Sequence, residues 1–152
     1  MDNVGYPLVP MWMMTEVISL GRLSHLYGGL KNEDKSLVAK FFGVHYKRLG
    51  DWLHSLTYIR NVCAHHSRLW NRELAIRPNQ LKDIEWLPPI TPRNDRIFYI
   101  FLMIRTLLNT ISEGVLWTKN VNTLLDDINK NAKFTIAMGI PVNYLSHPIW
   151  KV

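Results

Sequence analysis

From Tyr46 to Cys63 the apolar residues Leu49, Trp52, Leu53, Leu56, Ile59 and Cys63 recur at steps of one, three or four, with no proline among them. At 3.6 residues per turn this spacing collects apolar side chains on one side of an α-helix of about five turns. A long helix with one apolar side needs other elements to cover that side. The spacing therefore directs the chain towards a helical bundle.

The remaining segments fit that frame. Between Pro10 and Gly28, Met13, Val17, Leu20 and Leu23 give a second helix an apolar side, and the stretch YGGLKN stops it. Asn32 reads as an N-cap, with Glu33 and Asp34 in the first turn of a short helix through KSLVAKFF that Gly43 closes. Residues 71–92 contain Pro78, Pro88, Pro89 and Pro92 and read as a long ordered connection. TPRNDRIFYIFLMIRTLLNTISEGVLW follows as a central helix, with Pro92 near its start and Asp95 in its first turn. A further helix is expected from Asn122 to Asn131. The tail AMGIPVNYLSHPIW suits an irregular arm that packs its rings on the bundle. With no repeat and no alternating strand pattern, the expected fold class is all-α, in a single domain over residues 1–152.

Lys and Arg outnumber Asp and Glu by 18 to 12, a net charge of +6, which favours an anionic partner such as nucleic acid. The excess is local. Lys47, Arg48, Arg60, Arg68, Arg72 and Arg77 face only Asp51 and Glu73 within residues 45–77. The single cysteine, Cys63, has no internal disulfide partner, and Asp2 stands where a secretory peptide would be basic. Both features point to a reducing, cytoplasmic setting. The longest apolar run, IFYIFLMI between Arg96 and Arg105, falls far short of the roughly 20 residues of a membrane span. No membrane partner is expected.

The stretch YIRNVCAHHSRLWNR, residues 58–72, holds the residues suited to chemistry. An arginine presents a permanent fork of donors that fits a phosphate, and a histidine can move a proton near neutral pH. Arg60 and His65 stand five apart, however, which on a regular helix separates them by roughly 140°. The plain alternative has Arg60 in solvent and His65 at the helix C-terminus, where a cation gains about 0.3–1 kcal/mol. Asn61 can orient His65 or a phosphate through its amide, or simply face water. His66 is a second proton donor or a bystander. Arg68, Arg72 and Arg77 suit a phosphate-binding rim, and Trp70 either stacks a base or packs in the core. Cys63 and His66 share an i, i+3 spacing, but zinc takes about four protein ligands and there is no other cysteine. No metal or cofactor is expected.

RNVCAHH also fits the R-N-x-x-x-H pattern of the HEPN ribonucleases. The wider block LHSLTYIRNVCAHHSRLWNREL resembles the signature of the abortive-infection (Abi) phage-resistance family within that superfamily. SLGRLSHLYGGL with the AKFFG stretch upstream, and AMGIPVNYL with PIW at the end, are similar to the corresponding segments of that family. Family members are commonly about twice this length, so the chain is expected to correspond to their C-terminal half. The resemblance implies a HEPN-like bundle acting as a metal-independent ribonuclease, usually dimeric, with motifs from two copies facing one another. A shared cleft of that kind removes the need for one helix face to hold both groups. Arg60 would then hold the scissile phosphate. His65 would act as general acid or base in attack by the RNA 2′-hydroxyl, leaving a cyclic phosphate and a free 5′-hydroxyl.

HEPN domains can also lose catalysis and remain binding modules. A non-catalytic RNA-binding or interaction module, with a small inhibitory RNA antitoxin as a partner, is therefore the competing expectation. It predicts salt-sensitive RNA binding without cleavage.

Overall fold

The computed structural model describes residues 9–91, 93–111 and 113–151. Among them are seven α-helices and no strand, as the apolar spacing requires: α1 Met11–Val17, α2 Leu20–Gly29, α3 Asn32–Phe41, α4 Tyr46–Ala64, α5 Ile97–Leu108, α6 Glu113–Ile128 and α7 Ala132–Met138. Single 3-10 turns lie at Ile84–Trp86 and Tyr144–Ser146.

The first expected helix is two helices. Ser19 takes an extended conformation (φ −68°, ψ 157°) and its hydroxyl accepts the Arg22 N–H at 3.3 Å, so it starts α2 as an N-cap. α1 buries none of its residues, and Val17 is 82% exposed. α2 instead lies on α4, where a Cβ on Gly21 would come within 3.3 Å of Thr57 Cγ2. Tyr27, buried on α2, points its hydroxyl at the carbonyls of Lys35 (3.1 Å) and Tyr46 (3.0 Å), tying three segments together. In α3 the cap is Lys31, and Asn32 is the first helical residue. Glu33 and Asp34 do occupy the first turn, and Gly43 (φ 64°) follows the helix end.

α4 runs unbroken for 19 residues and buries Leu49, Trp52, Ser55, Ile59 and Val62. The apolar stripe thus ends on Val62, and Cys63 is exposed. α5 is the central element, with Ile97, Phe98, Tyr99, Ile100, Leu102 and Met103 buried. The helix expected to continue through Trp117 stops at Leu108, and α6 runs straight through Asn122, where a new helix was expected to begin. Gly114 marks the corner: a Cβ there would come within 2.7 Å of Arg105 Nη1 and Leu108 O. Asp95 does not sit in the first turn of α5. It precedes the N-cap Arg96 and is buried. The expected helix-start position Pro92 lies outside the described residues.

The C-terminal arm packs its rings as expected. Trp150 is fully buried, its ring 5.6 Å from Phe98 and 5.8 Å from Trp117, and Tyr144 is buried beside it. Each such ring contributes about 1.5–3 kcal/mol through the area it removes from water. His147 fastens the arm. Its Nδ1 accepts the Ile149 N–H (3.2 Å), so its Nε2 carries the proton and donates to Thr91 Oγ1 (2.8 Å), and that hydroxyl donates to Glu85 O (2.5 Å). Burial pushes the His147 pKa down, in keeping with a neutral ring.

Candidate functional site

The last turn of α4 carries the motif, and its backbone closes in a specific way. His65 is the C-cap, with φ −91° and ψ 18°. His66 has φ 52°, a left-handed conformation usually taken by glycine. The His66 N–H donates to Cys63 O (3.0 Å) and the Ser67 N–H to Val62 O (3.1 Å). These are the two bonds of a Schellman motif, with histidine in the position that glycine fills elsewhere. Histidine visits this region more readily than most residues, at a cost of about 1 kcal/mol.

Arg60, Asn61, His65 and His66 are all exposed on this turn. Arg60 Nη1 donates to Asn61 Oδ1 at 3.2 Å, so the arginine engages the amide oxygen. Asn61 and His65 stand four apart, and the His65 N–H donates to Asn61 O at 3.0 Å. Asn61 thus stands between the arginine and the histidine: it touches Arg60 by side chain and His65 by backbone. Among the described residues the imidazoles of His65 and His66 make no hydrogen bond or ion pair. No three His, Cys, Asp or Glu residues gather in a metal-holding group among the described residues.

The expected basic rim separates into unlike members. Arg68 is exposed, and Arg72 is bound to it through Nε to the Arg68 carbonyl at 3.1 Å. Arg77 points elsewhere, donating to Leu74 O at 3.2 Å with its guanidinium 3.8 Å from the buried Asp95. Trp70 is 38% exposed and meets Phe134 of α7 edge-on at 5.1 Å. It neither enters the core nor stands free in solvent.

The connection after the motif folds back along α4 and is fastened to it upstream of the turn. Asp51 accepts both the backbone and side-chain N–H of Asn79 at 2.8 Å, the Tyr58 hydroxyl receives the Ala75 N–H at 3.4 Å, and Arg48 pairs with Asp83 at 2.6 Å. Burial pushes the Asp51 carboxyl up, opposed by the Asn79 N–H and by His54. From α5, Tyr99 offers its hydroxyl to Asn79 O at 3.3 Å, and burial pushes its pKa up to about 12, so it remains a donor. Leu74, fully buried, receives its backbone anchor from Asp95 O at 2.9 Å, and the Asp95 carboxylate pairs with Arg93. Asp51, Asn79 and Asp95 lay outside the motif, and Tyr58, its first residue, had no role assigned. They matter because the connection returns to α4, which only the folded chain displays.

Residues 2–71, a little under half of the chain, match the family model described as Abi-like protein. The matched segment takes in α1 to α4 and the whole of the Arg60–His66 motif. The C-terminal segments likened to the family in the sequence lie beyond the match. Comparison with curated proteins and with solved structures found no match. Among the described residues, no helix is long and apolar enough to cross a membrane.

Proposed function

We propose that the chain is an abortive-infection phage-defence protein that cleaves RNA without a metal, as a HEPN-type endoribonuclease in the cytoplasm. The observation that carries this reading is the exposed turn on which Arg60, Asn61 and His65 stand linked, at a helix end fixed by two Schellman bonds. The Abi-like match over the same residues supports it.

In this reading Arg60 holds the scissile phosphate and offsets the charge that builds on it. Asn61 holds the guanidinium and turns its amide N–H₂ towards the substrate. His65 takes the proton from the 2′-hydroxyl or gives one to the departing 5′-oxygen. The 2′-oxygen bonds to phosphorus as the 5′-oxygen leaves, yielding a 2′,3′-cyclic phosphate and a 5′-hydroxyl. A second copy of the chain facing the first supplies whichever of the two roles one turn cannot reach.

The test is incubation of the purified protein with total RNA in EDTA. Wild type is expected to produce fragments ending in cyclic phosphate, and Arg60→Ala and His65→Ala to produce none. RNA left intact by wild type, but bound in a salt-sensitive way, would replace the nuclease with a binding module. Light scattering showing only monomer at micromolar concentration would remove the shared cleft.

A further inference from the structure

Two cavities flank α7, one apolar and one basic. The first, about 320 Å³, is lined by Trp70, Ile128, Phe134 and Met138, with almost no polar surface. The second, about 620 Å³, is lined by Asn71, Arg93, Arg96, Lys133, Ile136 and Gly139 among others. Both volumes fall in the range of small-ligand sites.

The division follows from the sequence. Phe134 and Met138, four apart on α7, face the apolar side, and Lys133 and Ile136 face the basic one. Trp70 and Asn71, adjacent in the chain, enter one cavity each. The rings of Trp70 and Phe134, 38% and 40% exposed, leave aromatic surface for a flat apolar partner.

The basic side retains positive charge after its internal pairs are formed. Arg93 pairs with Asp95 and lies 3.6 Å from Glu73, and Arg96 lies 2.9 Å from Glu73. Arg77, Arg93, Arg96 and Lys133 against Glu73 and Asp95 leave two positive charges. Lys133 enters no ion pair among the described residues. An aromatic apolar slot beside a cationic one suits a base next to its phosphate.

We propose that this pair of cavities binds one unpaired nucleotide, its base against Trp70 and Phe134 and its phosphate against Lys133 and Arg93. In taking that nucleotide as part of an RNA strand reaching towards His65, the inference rests on the reading above. A free mononucleotide presents the same chemistry.

The experiment measures binding of a labelled single-stranded RNA, and of the same sugar–phosphate strand with abasic positions, in EDTA on a His65→Ala background that keeps the RNA intact. Adding Trp70→Ala is expected to weaken base-bearing RNA by about 5- to 100-fold and to leave abasic RNA unchanged. Phe134→Leu, which keeps the cavity filled, is expected to act in the same direction. Lys133→Ala should weaken both strands alike and lower the salt slope by about 0.7. AMP or GMP competing with Trp70 dependence would assign the site to free nucleotide, and competition by RNA alone would assign it to the strand. Base-bearing RNA that binds the Trp70→Ala and Phe134→Leu proteins as tightly as the parent overturns the proposal, as does an equal loss for abasic RNA.

The two failures are distinguishable. Base-dependent binding with no cleavage by wild type removes the nuclease and leaves this site, whereas cleavage with base-independent binding does the reverse.

Discussion

The first half of α4 and its last turn do opposite things. The first half buries Leu49 and Trp52 and clasps the proline-containing connection through Asp51. The last turn buries only Val62 and displays Arg60, Asn61, Cys63, His65 and His66 to solvent. One helix thus separates the groups that hold the fold from the exposed groups to which the proposed reaction is assigned. Substitutions in the first half should appear in stability, and those in the last turn should not.

Trp52→Ala gives the largest effect. Trp52 is fully buried between α4 and Trp86, 5.5 Å from that ring, and truncation should cost about 3–5 kcal/mol in denaturant unfolding. A smaller loss is expected for Asp51→Ala, which removes two hydrogen bonds to the exposed Asn79: about 0.5–1.5 kcal/mol, with easier proteolysis in residues 71–83. A loss at the motif as large as that at Trp52 would end the division between the two regions.

The C-terminal arm adds a pH term. Because the His147 pKa is lowered in the folded state, the unfolded chain binds the extra proton first. Its contribution is therefore complete above the ordinary histidine pKa of about 6.5 and is lost as pH falls through that value towards the folded one. The midpoint of thermal unfolding should drop over that window in wild type. His147→Gln should flatten that drop.

His66→Gly sharpens the comparison from the other side. Glycine takes the left-handed position without strain, so stability should rise by up to about 1 kcal/mol while Arg60, Asn61 and His65 stay in place. Retained cleavage in that variant makes the second histidine a backbone device, and lost cleavage makes it a participant.

Much of this division was legible in the spacing of residues. The stripe from Leu49 to Ile59 announced α4, and IFYIFLMI announced the buried α5. Breaks were harder, because they depend on single side chains meeting distant ones. Ser19 caps α2 inside an apolar pattern that continues across it, and Gly114 turns the chain only because Arg105 and Leu108 fill the space beside it. Cys63 completed the stripe by count, yet the helix ends too near it for the core to reach it.

Arg60, Asn61 and His65 stood together as candidates in the sequence, and the structure places all three exposed on one helix end, Arg60 on the Asn61 amide oxygen. His65 is the C-cap, yet its N–H still closes the helical bond to Asn61 O at 3.0 Å, so the rotation of roughly 140° from Arg60 remains. Arg77 was grouped with Arg68 and Arg72 by sequence alone, and it is drawn away by Asp95, a partner 18 positions further on. Lys133 and Phe134 stood outside every motif because α7 meets Trp70 only in the folded chain.

The most direct test of the division measures cleavage and thermal midpoint together on one preparation of His65→Ala. Cleavage of RNA in EDTA is expected to fall by about 100-fold or more. The midpoint is expected to stay within about 0.5 kcal/mol of stability, as for an exposed side chain. Full cleavage by the variant, or a loss of cleavage that accompanies unfolding, would contradict it.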